Sequence, residues 1–141
     1  MKLLEVKNLK TYFTIYQGVV KAVDGVSFEL DYGETLGLVG ESGCGKTTSA
    51  LSIAQLLPKE GKIVGGEILL EGQDLAKLSD EQMQRFRWND ISVVFQGAMN
   101  ALNPVMRIGD QIGEAMVLHQ KISREEALTK ASDLLELMEI P

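Results

Sequence analysis

Glu34-Thr35-Leu36-Gly37-Leu38-Val39-Gly40-Glu41-Ser42-Gly43-Cys44-Gly45-Lys46-Thr47-Thr48 decides how the rest of this chain is read. From Gly40 onward it fits the spacing G-x-x-x-x-G-K-[ST], in which each residue type has a physical task. Glycines let the backbone curl until several N–H groups point inward, and a helix beginning just after them adds the positive end of its dipole. The product is an anion nest. Lys46 is placed to reach the β- and γ-phosphate oxygens of a nucleoside triphosphate, and the Thr47 hydroxyl to coordinate Mg2+. Gly40, Glu41, Ser42, Gly43, Cys44, Gly45, Lys46, Thr47 and Thr48 are therefore the candidate triphosphate-binding residues.

Such a loop requires a strand before it and a helix after it. Glu34 to Val39 is a short apolar run behind the turn-like Asp31-Tyr32-Gly33, which predicts a buried strand. Thr47 to Leu57 contains no Gly or Pro, carries Ala50, Ile53, Ala54 and Leu57 at helical spacing, and meets Pro58, which predicts a helix.

The length of 141 residues allows one real core. The net charge of −6 at pH 7 offers no basic footprint, so nucleic acid is not an expected partner. No apolar run reaches the length of a membrane span, and Met1-Lys2-Leu3-Leu4-Glu5 lacks the apolar region of a signal peptide. The chain is expected to stay in the compartment where it is made. A single cysteine, Cys44, forms no internal disulfide and fits a reducing cytosol. Its place in the loop is read as a backbone contact rather than a catalytic thiol. His119 is read as a surface or packing residue, since no metal-ligand spacing surrounds it.

Leu3 to Leu9 predicts a first strand with period-two alternation from Leu4, and Val19–Val23 and Val26–Leu30 predict further antiparallel strands. Gly65-Gly66 introduces a strand at Glu67–Leu70, and Glu71-Gly72 a turn. Ser79, with Gln82 three residues on, opens a short helix through about Arg87. Ile91-Ser92-Val93-Val94-Phe95 predicts a central buried strand, and residues 97–104 a loop. A helix is expected from Ile108 to about His119. Another is expected over Ser123–Ile140, with Ser123 and Glu126 as a capping box and Ala127, Leu128, Ala131, Leu134, Leu135 and Met138 as an apolar stripe.

Together the phosphate loop, the β-rich region before it and the Val94-Phe95-Gln96 strand end resemble the N-terminal part of an ABC-transporter ATP-binding subunit. Val20–Phe28, Gly37–Lys46 and Leu102–Ile112 resemble its dipeptide and oligopeptide importer branch, and the resemblance covers essentially the whole chain. It implies an α/β fold: a P-loop NTPase core with an N-terminal antiparallel β region and the start of a helical subdomain. Residues 1–96 are read as the β region plus ATP-binding core, and 97–141 as the Q-loop and the incomplete helical subdomain.

The resemblance also implies roles. Gln96 matches the Q-loop glutamine that reaches Mg2+ and the attacking water, which suits an amide able to donate and accept at once. Lys46 and Gln96 are thus the catalytic residues in view, Thr47 and Gln96 the Mg2+ ligands, and ATP with Mg2+ the cofactors. Phe13 is expected in a loop, stacking on adenine, with Tyr12 its alternate and Val23 an apolar neighbour. Partners implied are membrane-spanning permease subunits through residues 97–107, a second ATP-binding subunit, identical or not, and indirectly an extracytoplasmic peptide-binding protein. The location implied is peripheral, at the cytoplasmic face of the cell membrane.

The chain departs from the family pattern at Gly97-Ala98, where an acidic residue and a proline are usual. Its 141 residues also contain no Leu-Ser-Gly-Gly signature, no apolar strand ending in Asp-Glu and no switch histidine. The full subunit is therefore expected to be an ATPase driving import of di- or oligopeptides, and this polypeptide alone to bind nucleotide weakly and hydrolyse it poorly. An unpaired edge at Ile91–Phe95 and an uncovered Ser123–Ile140 stripe predict self-association. The competing readings are a nucleotide-binding regulatory module without hydrolysis, an importer of nickel or sugar, and an unrelated P-loop kinase or GTPase.

Overall fold

The computed structural model describes residues 2–97 and 102–140, in two compact units, 1–84 and 85–141. The division falls earlier in the chain than the boundary at Gln96.

The first unit is built on β1 (Lys2–Ile15) and β2 (Gly18–Asp31), an antiparallel hairpin closed by Tyr16 and Gln17. Both strands are longer than expected, and Val19–Val23 and Val26–Leu30 belong to one continuous β2. After the helix α1 (Lys46–Ile53), β3 (Gly61–Leu70) pairs antiparallel with the other edge of β1, and the short β4 (Gln73–Asp74) follows, giving the order β2-β1-β3-β4. Glu71 and Gly72 both have positive φ, as a tight two-residue hairpin turn requires. A 3-10 turn (Leu75–Lys77) and a single-turn helix α2 (Asp80–Met83) complete the unit.

The expected alternation in β1 changes phase at Asn8. Its φ of 49° is left-handed, a conformation Asn tolerates, and it lets Val6 and Leu9, three residues apart, be buried together. Gly66 completes this bulge from β3, because a Cβ there would lie 2.5 Å from the Asn8 carbonyl oxygen. Thus Gly65-Gly66 does not begin a strand but bends one already running from Gly61. Val6, Leu9, Val23, Ile68, Leu75 and Met83 form the core. Ser79 caps α2 through a full capping box with Gln82, as read, although the helix ends at Met83 rather than near Arg87.

α1 is shorter than expected and buries a different face. Ser49, Ser52 and Ala54 are covered, while Ala50 is exposed and Ile53 and Leu57 are only half-buried. Small side chains allow a helix to approach a sheet closely, which larger ones at these positions would prevent.

The run Glu34–Val39 is not a strand. It carries no regular structure and is exposed, with Val39 at 97% exposure, and no described strand runs beside it. A ladder needs a neighbour to exchange hydrogen bonds with, whatever the apolar content of the segment.

In the second unit the same correction applies to Ile91–Phe95. Only Ile91 makes a bridge, parallel to Arg87, and Val94 is 92% exposed. The helix α3 (Ile108–Gln120) follows as expected, α4 (Arg124–Leu137) starts after its Ser123 cap but ends short of the expected Ile140, and the two pack together where Gly113 meets Ala127. Arg124 pairs with Asp110 at 2.7 Å. The Ser123 hydroxyl accepts the Glu126 N–H, while the Glu126 carboxylate turns to Lys130 instead of back to the cap. Of the expected stripe only Ala127 and Ala131 are buried.

Candidate functional site

The loop before α1 closes on itself. Gly43 and Gly45 have φ of 82° and 94°, left-handed values that L side chains rarely adopt. At Gly45 there is a second reason for glycine: a Cβ would sit 2.4 Å from the Ala22 carbonyl oxygen and 3.5 Å from Val23 Cγ2. The loop is therefore seated directly on β2. Val23, buried at 3% exposure, is part of that seat.

Lys46 begins α1 and turns back into the loop, where its ammonium donates to the Gly40 and Glu41 carbonyl oxygens, each at 2.7 Å. Cys44 Sγ lies 3.4 Å from the same nitrogen. A Cβ on Gly40 would come 2.6 Å from that sulfur, so the glycine leaves room for the cysteine inside the curl. The cysteine is exposed and in no disulfide. Gly45, at the N-cap, provides no side-chain cap, and the first turn of α1 holds no acidic residue. The first-turn amides are thus left for an external acceptor, with a cation beside them and no carboxylate to compete. These features fit the phosphates of a nucleotide. Thr47 is exposed at the second helical position and Thr48 is half-buried.

Among the described residues no group of three His, Cys, Asp or Glu side chains converges to hold a metal ion. The exposed Thr47 hydroxyl is a hard oxygen donor, of the kind that fits a Mg2+ whose other ligands would be phosphate oxygens and water.

Phe13 is not in a loop. It lies within β1, half-buried, opposite Val20 and Gly61, and a Cβ on Gly61 would meet its ring at 2.8 Å. Strand alternation puts Phe13 on the face of β1 that carries Thr11, which is buried against α1. Tyr12 points to the other face. Its hydroxyl donates to Asp24 Oδ1 at 2.6 Å, and the Lys21 ammonium lies 5.4 Å from the ring centroid. That hydrogen bond pushes the Tyr12 phenol above its ordinary range and holds the Asp24 carboxyl below its own. Of the two aromatics, only Phe13 shares a face with the loop.

Gln96 belongs to the second unit. It is exposed at a bend after the irregular run 92–95, and Gly97 follows with φ of 84°. Of the segment 97–107, residues 98–101 lie outside the described residues. The remainder is held by Gln111, whose amide accepts from Asn103 N at 2.8 Å and donates to the Asn103 and Met106 carbonyls at 2.9 and 3.1 Å. Leu102, Val105 and Met106 are exposed on this fastened loop. A groove of about 450 Å3 between α3 and α4, lined by Met106, Gly113, Val117 and Leu128, belongs to this unit and not to the phosphate loop.

Three residues of the loop's support were missed in the sequence: Thr11, Ser49 and Ser52, all buried. The available signal was the spacing of Ser49 and Ser52, three apart and so on one face of α1.

Residues 23–141 match the family described as ABC transporter. The chain is 48% identical over 139 residues to a probable peptide ABC transporter ATP-binding protein of Sinorhizobium fredii, covering 98% of this chain and 42% of that protein. It is 48% identical to a dipeptide transport ATP-binding protein of Bacillus subtilis and 49% identical to an oligopeptide transport ATP-binding protein of the same organism. Those alignments cover 99% of this chain and 42% and 39% of the two relatives, so the chain spans about two fifths of their length. Among solved structures, a dimeric bacterial ABC transporter cassette superposes with a TM-score of 0.80 at 24% identity, covering 98% of this chain and 58% of that one. A post-hydrolysis state of such a cassette, bound to ADP and phosphate, superposes with a TM-score of 0.81 at the same 24% identity.

Proposed function

We propose, for a chain that belongs to the ABC transporter family, that it is the phosphate-loop portion of an ATP-binding subunit whose whole drives uptake of di- or oligopeptides. The observation that carries this is the uncapped, glycine-built turn seated on Ala22 with the Lys46 ammonium inside it. The names of the relatives support peptides as the cargo, and the likeness to solved cassettes supports the fold around the site.

In this reading the Gly43 to Thr48 amides and Lys46 hold the triphosphate, Lys46 exchanging its two carbonyl partners for β- and γ-phosphate oxygens. Phe13 stacks on the base, with Val23 beside it. Tyr12 is assigned no part in stacking, because it lies on the opposite face and is held by Asp24. Thr47 and, on the family resemblance alone, Gln96 would hold a Mg2+, which when bound would neutralise developing phosphate charge. Gln96 also orients the water, and the reaction is transfer of the γ-phosphoryl group to it, assisted by positioning and electrostatics. Leu102, Val105 and Met106, with the rest of 97–107, face permease subunits at the cytoplasmic side of the membrane, and a second ATP-binding subunit completes the site. Among the described residues no helix is long and apolar enough to cross a membrane.

The test is calorimetric titration of the 141-residue chain with ATP and Mg2+. Saturable 1:1 binding that weakens at least tenfold in Lys46→Ala is expected, in line with the loss of a charge-assisted contact. Equal heats for the two proteins, or none for either, would overturn the reading.

A further inference from the structure

Two fully buried hydroxyls connect the strand that carries Phe13 to the helix that begins at the phosphate loop. Thr11 on β1 and Ser52 on α1 are each 0% exposed, and their oxygens lie 2.8 Å apart. The direction of the bond follows from proton accounting. Ser52 Oγ also lies 2.6 Å from the Thr48 carbonyl oxygen, which can only accept, so the single hydroxyl hydrogen of Ser52 is committed there. Thr11 must therefore be the donor to Ser52. The result is a directed relay from Thr11 Oγ1 to Ser52 Oγ to the carbonyl of Thr48, in the first turn of α1 and directly after the loop motif.

Packing alone does not call for this arrangement. Two apolar side chains of the same shape would fill the space with little change in stability, whereas a buried hydroxyl needs its partner at a set distance and angle. A hydrogen bond thus fixes what an apolar contact leaves free, the position of α1 along β1. Phe13 is two residues from Thr11 on the same face, and Thr48 is one residue from Thr47. At the other side of the loop the Gly45 backbone rests on Ala22 of β2, a contact that seats the loop but does not involve β1.

We propose that Thr11 and Ser52 are positioning residues of the nucleotide site, whose hydrogen bond sets the separation between the base-stacking ring of Phe13 and the phosphate loop. This rests on the reading of Phe13 and the loop given above. Its consequence is selective. A ligand that spans both ends depends on the separation, and one that occupies only the phosphate end does not.

The experiment compares dissociation constants for Mg2+–ATP and Mg2+–tripolyphosphate on the whole chain, for wild type, Thr11→Val, Thr11→Ser, Ser52→Ala and Phe13→Ala. Thr11→Val and Ser52→Ala are expected to weaken ATP about fivefold, the size of one net hydrogen bond, and to leave tripolyphosphate unchanged within about twofold. Thr11→Ser, which keeps the donor, is expected to retain the wild-type ratio. Equal weakening of both ligands would assign the pair a merely structural role and overturn the proposal, as would an unchanged ratio in both variants. If Thr11→Val fails to fold, by its circular dichroism melt, Ser52→Ala alone decides. Phe13→Ala separates the two layers of inference. A ratio lowered there but not in Thr11→Val or Ser52→Ala removes only the positioning proposal, while a ratio unaffected by Phe13→Ala removes the base-stacking reading and the proposal with it.

Discussion

β1, β2 and β3 exchange backbone hydrogen bonds along most of their length, whereas residues 34–39 and 91–95, at least as apolar, form no ladder. Leu9 and Ile68 in the sheet are wholly buried, while Val39 and Val94 are 97% and 92% exposed. Composition does not separate these regions; the presence of a neighbouring strand does. β1 finds β2 across two turn residues, and β3 is aimed onto β1 by the Asn8–Gly66 bulge. Residues 34–39 and 91–95 have no strand beside them among the described residues, and a ladder needs one whatever the apolar content. The phosphate loop stands between the two regimes. Its upstream lead is unpaired, yet its shape is set from below by Ala22 and from behind by α1.

The largest expected effects test that contrast directly. Leu9→Ala should cost about 2–5 kcal/mol in denaturant unfolding, while Leu38→Ala and Val94→Ala should stay within about 0.5 kcal/mol. A comparable loss at Leu38 or Val94 would show those segments to be packed. Next, Gly45→Ala should cost about 2–4 kcal/mol, because it combines a left-handed φ with a clash against the Ala22 carbonyl. Gly37→Ala, in the unpaired lead with nothing within 4 Å, should be nearly neutral in the same measurement. Ser79→Ala removes one arm of the capping box and should cost about 1 kcal/mol.

The smallest effect is one of pH. Burial works against the Asp74 carboxylate, but the Lys77 ammonium and the Ile68 and Ala76 amides outweigh it and hold the pKa below its ordinary 3.8. Its contribution is therefore fully present above pH 3.8 and fades as pH falls through the lowered folded value. Asp74→Asn should flatten the acid limb of stability measured between about pH 5 and pH 2. An unchanged limb would mean that Asp74 does not contribute to it.

How far the sequence could be read follows the same division. Gly43, Gly45 and Lys46 were legible because their chemistry is local: curl, left-handed backbone and cation belong to one short loop. Ser79 and Gln82 were legible for the same reason. The strands at 34–39 and 91–95 were misjudged because apolar content predicts burial but not the presence of a neighbour. The buried face of α1 was misjudged because Ala50, Ile53 and Leu57 outrank Ser49 and Ser52 in hydrophobicity, while close approach to β1 favours the smaller pair. Alternation alone does not reveal that β1 extends beyond Leu9 through a bulge, so the sequence suggests a loop at Phe13 where the strand continues.

The loop proposed as the phosphate site is preformed on the antiparallel sheet and does not depend on the unpaired segments. Amide hydrogen exchange of the chain, with and without Mg2+–ATP, tests it most directly. The amides of β1 to β3 should be protected in both states. Those of Gly43 to Thr48 should gain protection only with nucleotide, and residues 34–39 and 91–95 should exchange fast throughout. Nucleotide-dependent protection that appears at 34–39 or 91–95 but not at Gly43 to Thr48 would contradict it.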